Sequence, residues 1–215
     1  AGELQGASAF SEPQAAGDLA GIKTTLEKTG DGWVINGSKC WISYAKIADF
    51  ILVLTRLKGT ERHDGLTWVI VEQGTPGCII GREQKMIHGQ STYEVFFENC
   101  VVSDEQLLGG PGQGWGAGTS FLYTGRLGIA ARSLGIADRC LELATDYAKL
   151  RHTFGKPLSS RQAVQWMIAD SATELHAARL MVYDAAWRAQ QGENVVLQTA
   201  MVKSYATEMV SRVVD

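Results

Sequence analysis

Between residues 24 and 102 the apolar positions come in short runs rich in Val, Ile, Phe and Trp. The pattern predicts strands over 23–29, 33–35, 40–43, 50–56, 66–72, 79–82 and 93–101. Gly59, Gly65, Gly74, Pro76-Gly77 and Gly89 separate them. Short strands at this spacing predict a small antiparallel barrel or sandwich. After Leu107-Leu108-Gly109-Gly110-Pro111-Gly112-Gln113-Gly114 the apolar period becomes helical. One helix is expected over 115–150, with Leu122, Leu127, Ile129, Leu134, Ile136, Leu141, Leu143 and Tyr147 covering a broad buried face; Phe154-Gly155-Lys156-Pro157 opposes its continuation. A second helix is expected from Ser159-Ser160, whose hydroxyls can cap it, to Gln190-Gln191-Gly192, where glycine supplies a left-handed C-cap. A third runs from about 195 to the last residue, 215, still helical in pattern, so an internal piece of a longer protein is expected. The fold class is α+β and multi-domain: a β-domain over 1–108, a glycine-rich connector over 109–114, and an incomplete antiparallel helical bundle over 115–215.

Asn36-Gly37 is the pair that a two-residue hairpin turn prefers, which separates strands 33–35 and 40–43. Alternation then places Trp41 and Ser43 on one face and Ile42 on the other. An aromatic plane beside a hydroxyl suits a cofactor wall. It equally suits an ordinary hairpin with a half-buried tryptophan.

Composition narrows the function classes. The 215 residues carry a net charge of −3, which argues against a nucleic-acid partner, because neutralising phosphates needs clustered Lys and Arg. No apolar run approaches the roughly 20 residues that cross a bilayer, and the first residues lack signal-peptide regions. Cys40, Cys78, Cys100 and Cys140 form no C-x-x-C pair, so neither a zinc site nor a redox pair is indicated, and a reducing compartment is the simpler reading.

Several motifs then occur in one order: Ser11-Glu12-Pro13, Ala15-Ala16-Gly17-Asp18, Asn36 to Ser43, Pro76-Gly77, Gly89-Gln90-Ser91, Leu107-Leu108-Gly109, and Arg151-His152-Thr153-Phe154-Gly155-Lys156 followed by Gln162. In this series the chain resembles the acyl-CoA dehydrogenases over nearly its whole length. The resemblance implies a flavoprotein of three parts, of which this chain matches the middle β-domain and part of the C-terminal bundle. FAD is expected between them, with a partner subunit completing its pyrophosphate and adenine end. A homodimer or homotetramer is implied, as are an acyl-CoA substrate, an electron-transfer flavoprotein as acceptor, and a bacterial cytoplasmic or mitochondrial-matrix location.

Flavin chemistry needs an apolar wall with donors aimed at the ring's polar edges. The resemblance assigns Trp41 to the ring face and Ser43 to the N5 edge, with Ser43 standing where relatives usually carry Thr. Ser11, preceded by Phe10, is assigned to the pyrimidine edge; read alone, its hydroxyl could as well cap a helix or turn. Arg151 is assigned to the pyrophosphate of the neighbouring subunit's FAD, Phe154 to its adenine or ribose region, and Gln162 to a polar contact. On the substrate side, Arg126 aligns with an arginine near the thioester channel, and Leu122 and Tyr123 lie one turn earlier. Gly17 stands where relatives often carry a CoA-contacting Ser, and the segment from His88 to Tyr93 looks shorter than its counterpart.

Desaturation of a thioester requires a carboxylate to take the α proton. The position before Arg126 is Gly125, preceded by Tyr123 and Thr124, and Glu142 and Asp146 lie turns away. No catalytic base is therefore assigned. Three functions follow: FAD-dependent α,β-dehydrogenation of an acyl-CoA with the base supplied elsewhere; a flavin monooxygenase or nitroalkane-oxidase-like relative on the same fold; or a non-catalytic flavin-binding fragment.

Overall fold

In a computed structural model the described residues are 2–30, 32–87 and 89–215, without the side chains of 117, 119 and 120. His88, named above for the shortened segment, lies outside them. The chain divides into two compact units, Ala1–Gly118 and Thr119–Asp215.

The first unit is a mixed sheet of eight strands. They are β1 (Gly6–Ala9), β2 (Thr25–Thr29), β3 (Gly32–Ser43), β4 (Phe50–Leu57), β5 (Leu66–Glu72), β6 (Cys78–Lys85), β7 (Ser91–Val102) and β8 (Leu107–Leu108). The order is β6-β7-β3-β2-β4-β5-β8, with β1 also paired to β4. All pairs are antiparallel except β1–β4 and β2–β4. Both faces of β4 are covered, as its near-continuous apolar run requires. Ile51 and Val53 join Leu26, Ile35, Val69, Val71, Val95 and Phe97 in one core, while Leu54 joins Ile22, Leu66 and Trp68 in another.

The Asn36-Gly37 hairpin does not form. Strands 33–35 and 40–43 are one strand, β3, and the pair sits at a bulge against β7, between Ile35 and Gly37. The same chemistry serves a different end. Gly37 adopts φ +147°, and a Cβ there would lie 2.6 Å from Thr24 Oγ1. Asn36 Oδ1 accepts the Asn99 amide at 2.8 Å and so ties the bulge to β7. The β2–β3 hairpin instead closes beyond the Thr29↔Gly32 pair. Strand β1 escaped the sequence reading because Gly-Ala-Ser-Ala has little β-propensity. Its small side chains suit a tight seat: a Cβ on Gly6 would come within 2.7 Å of the Phe50 ring.

The helices are α1 (Gly114–Leu150), α2 (Gln162–Gln190) and α3 (Val196–Val214), with a two-residue hairpin pair, β9 (His152–Thr153) and β10 (Lys156–Pro157), before α2. The start of α1 belongs to the sheet unit, where Trp68 Nε1 donates to the Gly114 carbonyl at 2.9 Å. In the second unit Ala130, Leu134 and Ala137 pack with Leu175, Ala178, Val182, Ala185, Val202, Ala206 and Met209. The broad buried face expected of α1 is narrower than that, because Ile129, Ile136, Leu143 and Tyr147 are exposed. Ser159 and Ser160 do not cap α2 either: they lie in a 3-10 turn, Leu158–Ser160, where Ser160 Oγ donates to the Pro157 carbonyl at 2.7 Å. Arg161 occupies the N-cap without a side-chain cap bond. Gly192 does adopt φ +78° at the other end, its amide donating to Ala189 at 3.0 Å. No described helix is long and apolar enough to cross a membrane.

Candidate functional site

Four of the expected residues lie on two segments that the sheet unit binds together. Trp41 and Ser43 end β3, and Phe10 and Ser11 follow β1. The Cys40 amide donates to the Ser11 carbonyl at 2.9 Å. A second irregularity, between Lys39 and Ile42, turns Trp41 outward: its φ is +58° and it is 54% exposed, while Ile42 is buried and Ser43 half-buried. A bulky residue in this backbone region costs about 1–3 kcal/mol, and here the ring is not buried in return. Phe10 packs edge-on to Trp68, with centroids 4.8 Å apart and planes at 87°.

Beneath these segments lies a buried ion pair that the sequence reading missed. Lys39 Nζ stands 2.8 Å from Glu12 Oε1, and the two side chains are 0% and 2% exposed. Lys39 also donates to the Phe10 carbonyl at 3.0 Å. Glu12 further accepts the Lys23 amide at 2.6 Å, the Thr24 amide at 3.0 Å and the Gln14 side-chain amide. Burial pushes the Glu12 carboxyl up, but Lys39, Thr24 and Lys23 together outweigh it and hold the group below the ordinary 4.5. At Lys39 burial wins over the pull of Glu12, and the ammonium is pushed down to about 8. Ion pairing with the surrounding donors thus prevails at Glu12, and burial prevails at Lys39.

Gly17 is exposed, and a Cβ there would meet nothing within 4 Å. It lies just before Asp18, whose side chain accepts the Ala20 amide at 3.1 Å and caps a 3-10 turn, Leu19–Gly21.

In the helical unit Arg151, Phe154 and Gln162 gather around the β9–β10 hairpin. Arg151 directly follows α1, Phe154 stands at the turn with φ +51° and 97% exposure, and Gln162 opens α2. The reading overlooked Arg161, which organises this turn. Its Nη2 donates to the Thr153 carbonyl at 2.6 Å, and its guanidinium carbon lies 5.7 Å from the Phe154 ring centroid. Leu122, Tyr123 and Arg126 are half-buried on α1, with the Arg126 guanidinium 5.6 Å from the Tyr123 ring centroid. The structure does not bring these two groups together. Arg126 and Arg151 are separated by 25 residues, which at about 1.5 Å per helical residue is about 38 Å.

The carboxylates of α1 are engaged at the surface. Glu142 pairs with Arg139 at 2.6 Å and Asp146 with Lys149 at 3.7 Å. Glu12, the buried carboxylate among the described residues, is held ionised by four donors, the opposite of the raised pKa that a base needs. No described group of three His, Cys, Asp or Glu residues could hold a metal ion.

The exposed tryptophan plane, the hydroxyls of Ser11 and Ser43 and the unfilled ground at Gly17 fit a flat, polar-edged ring and an extended ligand. The mixed sheet unit followed by helices is the architecture of one class of protein, which similarity to known proteins identifies. Residues 7–100 match the acyl-CoA dehydrogenase middle domain, and residues 112–215 match the acyl-CoA dehydrogenase C-terminal domain. An acyl-CoA dehydrogenase of Bacillus subtilis is 36% identical over 96% of this chain and 55% of its own length. The structure of butyryl-CoA dehydrogenase from Megasphaera elsdenii superposes with a TM-score of 0.93 at 36% identity, over 98% of this chain and 56% of that one. The FAD complex of PigA does so with a TM-score of 0.92 at 28% identity, over 97% and 55%. The chain belongs to the acyl-CoA dehydrogenase family. It spans about half the length of the curated relatives it matches.

Proposed function

We propose that this chain is the flavin-holding part of an enzyme that desaturates an acyl-CoA thioester at the α,β positions and passes the electrons to an electron-transfer flavoprotein. The observation that carries the reading is Trp41, a bulky residue in the left-handed region whose ring stays exposed. Such strain persists where the surroundings enforce a functional orientation. FAD, when bound, accepts the hydride that leaves the β carbon. Trp41 offers its plane to the ring, and the Ser43 and Ser11 hydroxyls offer donors to its edges.

Arg151, Phe154 and Gln162 would serve the phosphate and adenine end of a second subunit's cofactor. The distance along α1 supports this, since a hairpin about 38 Å from Arg126 cannot share one small molecule with it. Leu122, Tyr123 and Arg126 are assigned to the substrate side, together with the Gly17 loop. None of the described residues is placed to take the α proton, so the reading assigns that step to a carboxylate outside this chain.

The test is product analysis. The FAD-loaded whole enzyme, in which the part that supplies the carboxylate joins this chain, is given saturated acyl-CoA thioesters of several lengths with an artificial electron acceptor, and the expected product is the α,β-unsaturated thioester. Failure with every thioester would overturn the reading, and oxygen uptake with a hydroxylated product would point to a monooxygenase instead.

A further inference from the structure

Replacing a buried ion pair by well-packed apolar residues is often neutral or stabilising, so stability alone does not account for such a pair. Glu12 and Lys39 stand beside the residues assigned to the flavin: Glu12 directly follows Ser11, and Lys39 precedes Trp41 by two positions. Three segments converge on them. Lys39 Nζ reaches the Phe10 carbonyl at 3.0 Å, the Cys40 amide reaches the Ser11 carbonyl at 2.9 Å, and the Glu12 carboxylate gathers the Lys23 and Thr24 amides. Thr24 in turn donates from Oγ1 to the Ser38 carbonyl at 3.3 Å and lies under Gly37, where a Cβ would not fit. An apolar pair could fill the volume but could not hold the Phe10 carbonyl or the two amides.

We propose that Glu12 and Lys39 are positioning residues for the flavin: their buried pair fixes the segment carrying Phe10 and Ser11 against the strand carrying Trp41 and Ser43, and so sets the width and orientation of the ring's seat. The proposal rests on the flavin reading above. Neither side chain needs to touch the cofactor. Their effect is carried by the Phe10 and Ser11 carbonyls and by the bulge that turns Trp41 outward.

The experiment is an equilibrium FAD titration of the native protein, of Glu12→Gln, and of the double variant Glu12→Leu/Lys39→Met, read by visible absorption and flavin fluorescence, with far-UV circular dichroism reporting the fold. The double variant leaves no orphaned charge. In a variant that folds, the FAD dissociation constant is expected to rise about tenfold or more, and the visible band of the bound flavin to shift towards that of free FAD. Unchanged affinity and spectrum in a folded variant, whatever its melting temperature, would overturn the proposal and leave the flavin reading standing. If neither variant folds, hydrogen exchange on the native protein decides. FAD is then expected to slow exchange at the Thr24 and Cys40 amides, and no change at either would overturn the proposal. A native protein that binds no FAD would remove the flavin reading itself.

Discussion

Arg161 donates through Nη2 to the carbonyl oxygen of Thr153 at 2.6 Å, across the turn on which the fully exposed Phe154 stands. The guanidinium also lies against the Phe154 ring. One side chain therefore ties down the backbone of the hairpin assigned to a neighbouring subunit's cofactor and lies near its exposed aromatic ring.

Arg161→Ala is accordingly expected to weaken FAD retention about fivefold to tenfold, equivalent to about 1–1.4 kcal/mol, with little change in the melting temperature of the helical unit. Arg161→Lys should recover only part of the loss, since an ammonium lacks the planar fork. Flavin titration of the assembled protein checks both.

Acid should act through Glu12. Its folded pKa lies below 4.5, so the unfolded chain takes up the proton first as pH falls. The stability that the ionised group contributes is thus complete above the unfolded value and is lost as pH drops through the folded one. Breaking the pair by Glu12→Gln should cost about 3–5 kcal/mol near neutrality. The gap in melting temperature between native protein and variant should narrow as the pH is lowered from about 6 to about 3. A gap independent of pH would show that the carboxylate is not the source.

Two glycines should respond in opposite ways. Gly37→Ala forces a Cβ to 2.6 Å from Thr24 Oγ1 in a left-handed backbone, and a loss of about 1–3 kcal/mol is expected by chemical denaturation. Gly17→Ser enters open space and should change stability by less than about 0.5 kcal/mol. The added hydroxyl should leave acyl-CoA affinity equal or severalfold tighter, measured by calorimetry.

Much of this architecture is legible in the chain because period and punctuation agree. The strands at 50–56 and 66–72 and the end of α2 at Gly192 fall where alternation, turn residues and a left-handed glycine place them. Asn36-Gly37 misled for a physical reason: the positive φ that suits a hairpin turn also suits a bulge within a strand, and only the partner strand β7 distinguishes them. Glu12 and Lys39 were invisible for another. Charged residues 27 positions apart read as solvent-facing, and their burial is decided by tertiary packing. Arg161 hid in the same way, at a helix start where a Ser hydroxyl was the expected cap.

The central claim is that the exposed Trp41 ring, held at a strained backbone position, forms the face of the flavin seat. Trp41→Gly separates the two halves of that claim, because glycine accepts φ +58° without strain and removes the ring. Paired denaturation and FAD titration are expected to move in opposite directions, with stability unchanged or raised by about 1 kcal/mol and flavin affinity lowered by about tenfold or more. A variant that loses stability while binding FAD as tightly as the native protein would contradict the account.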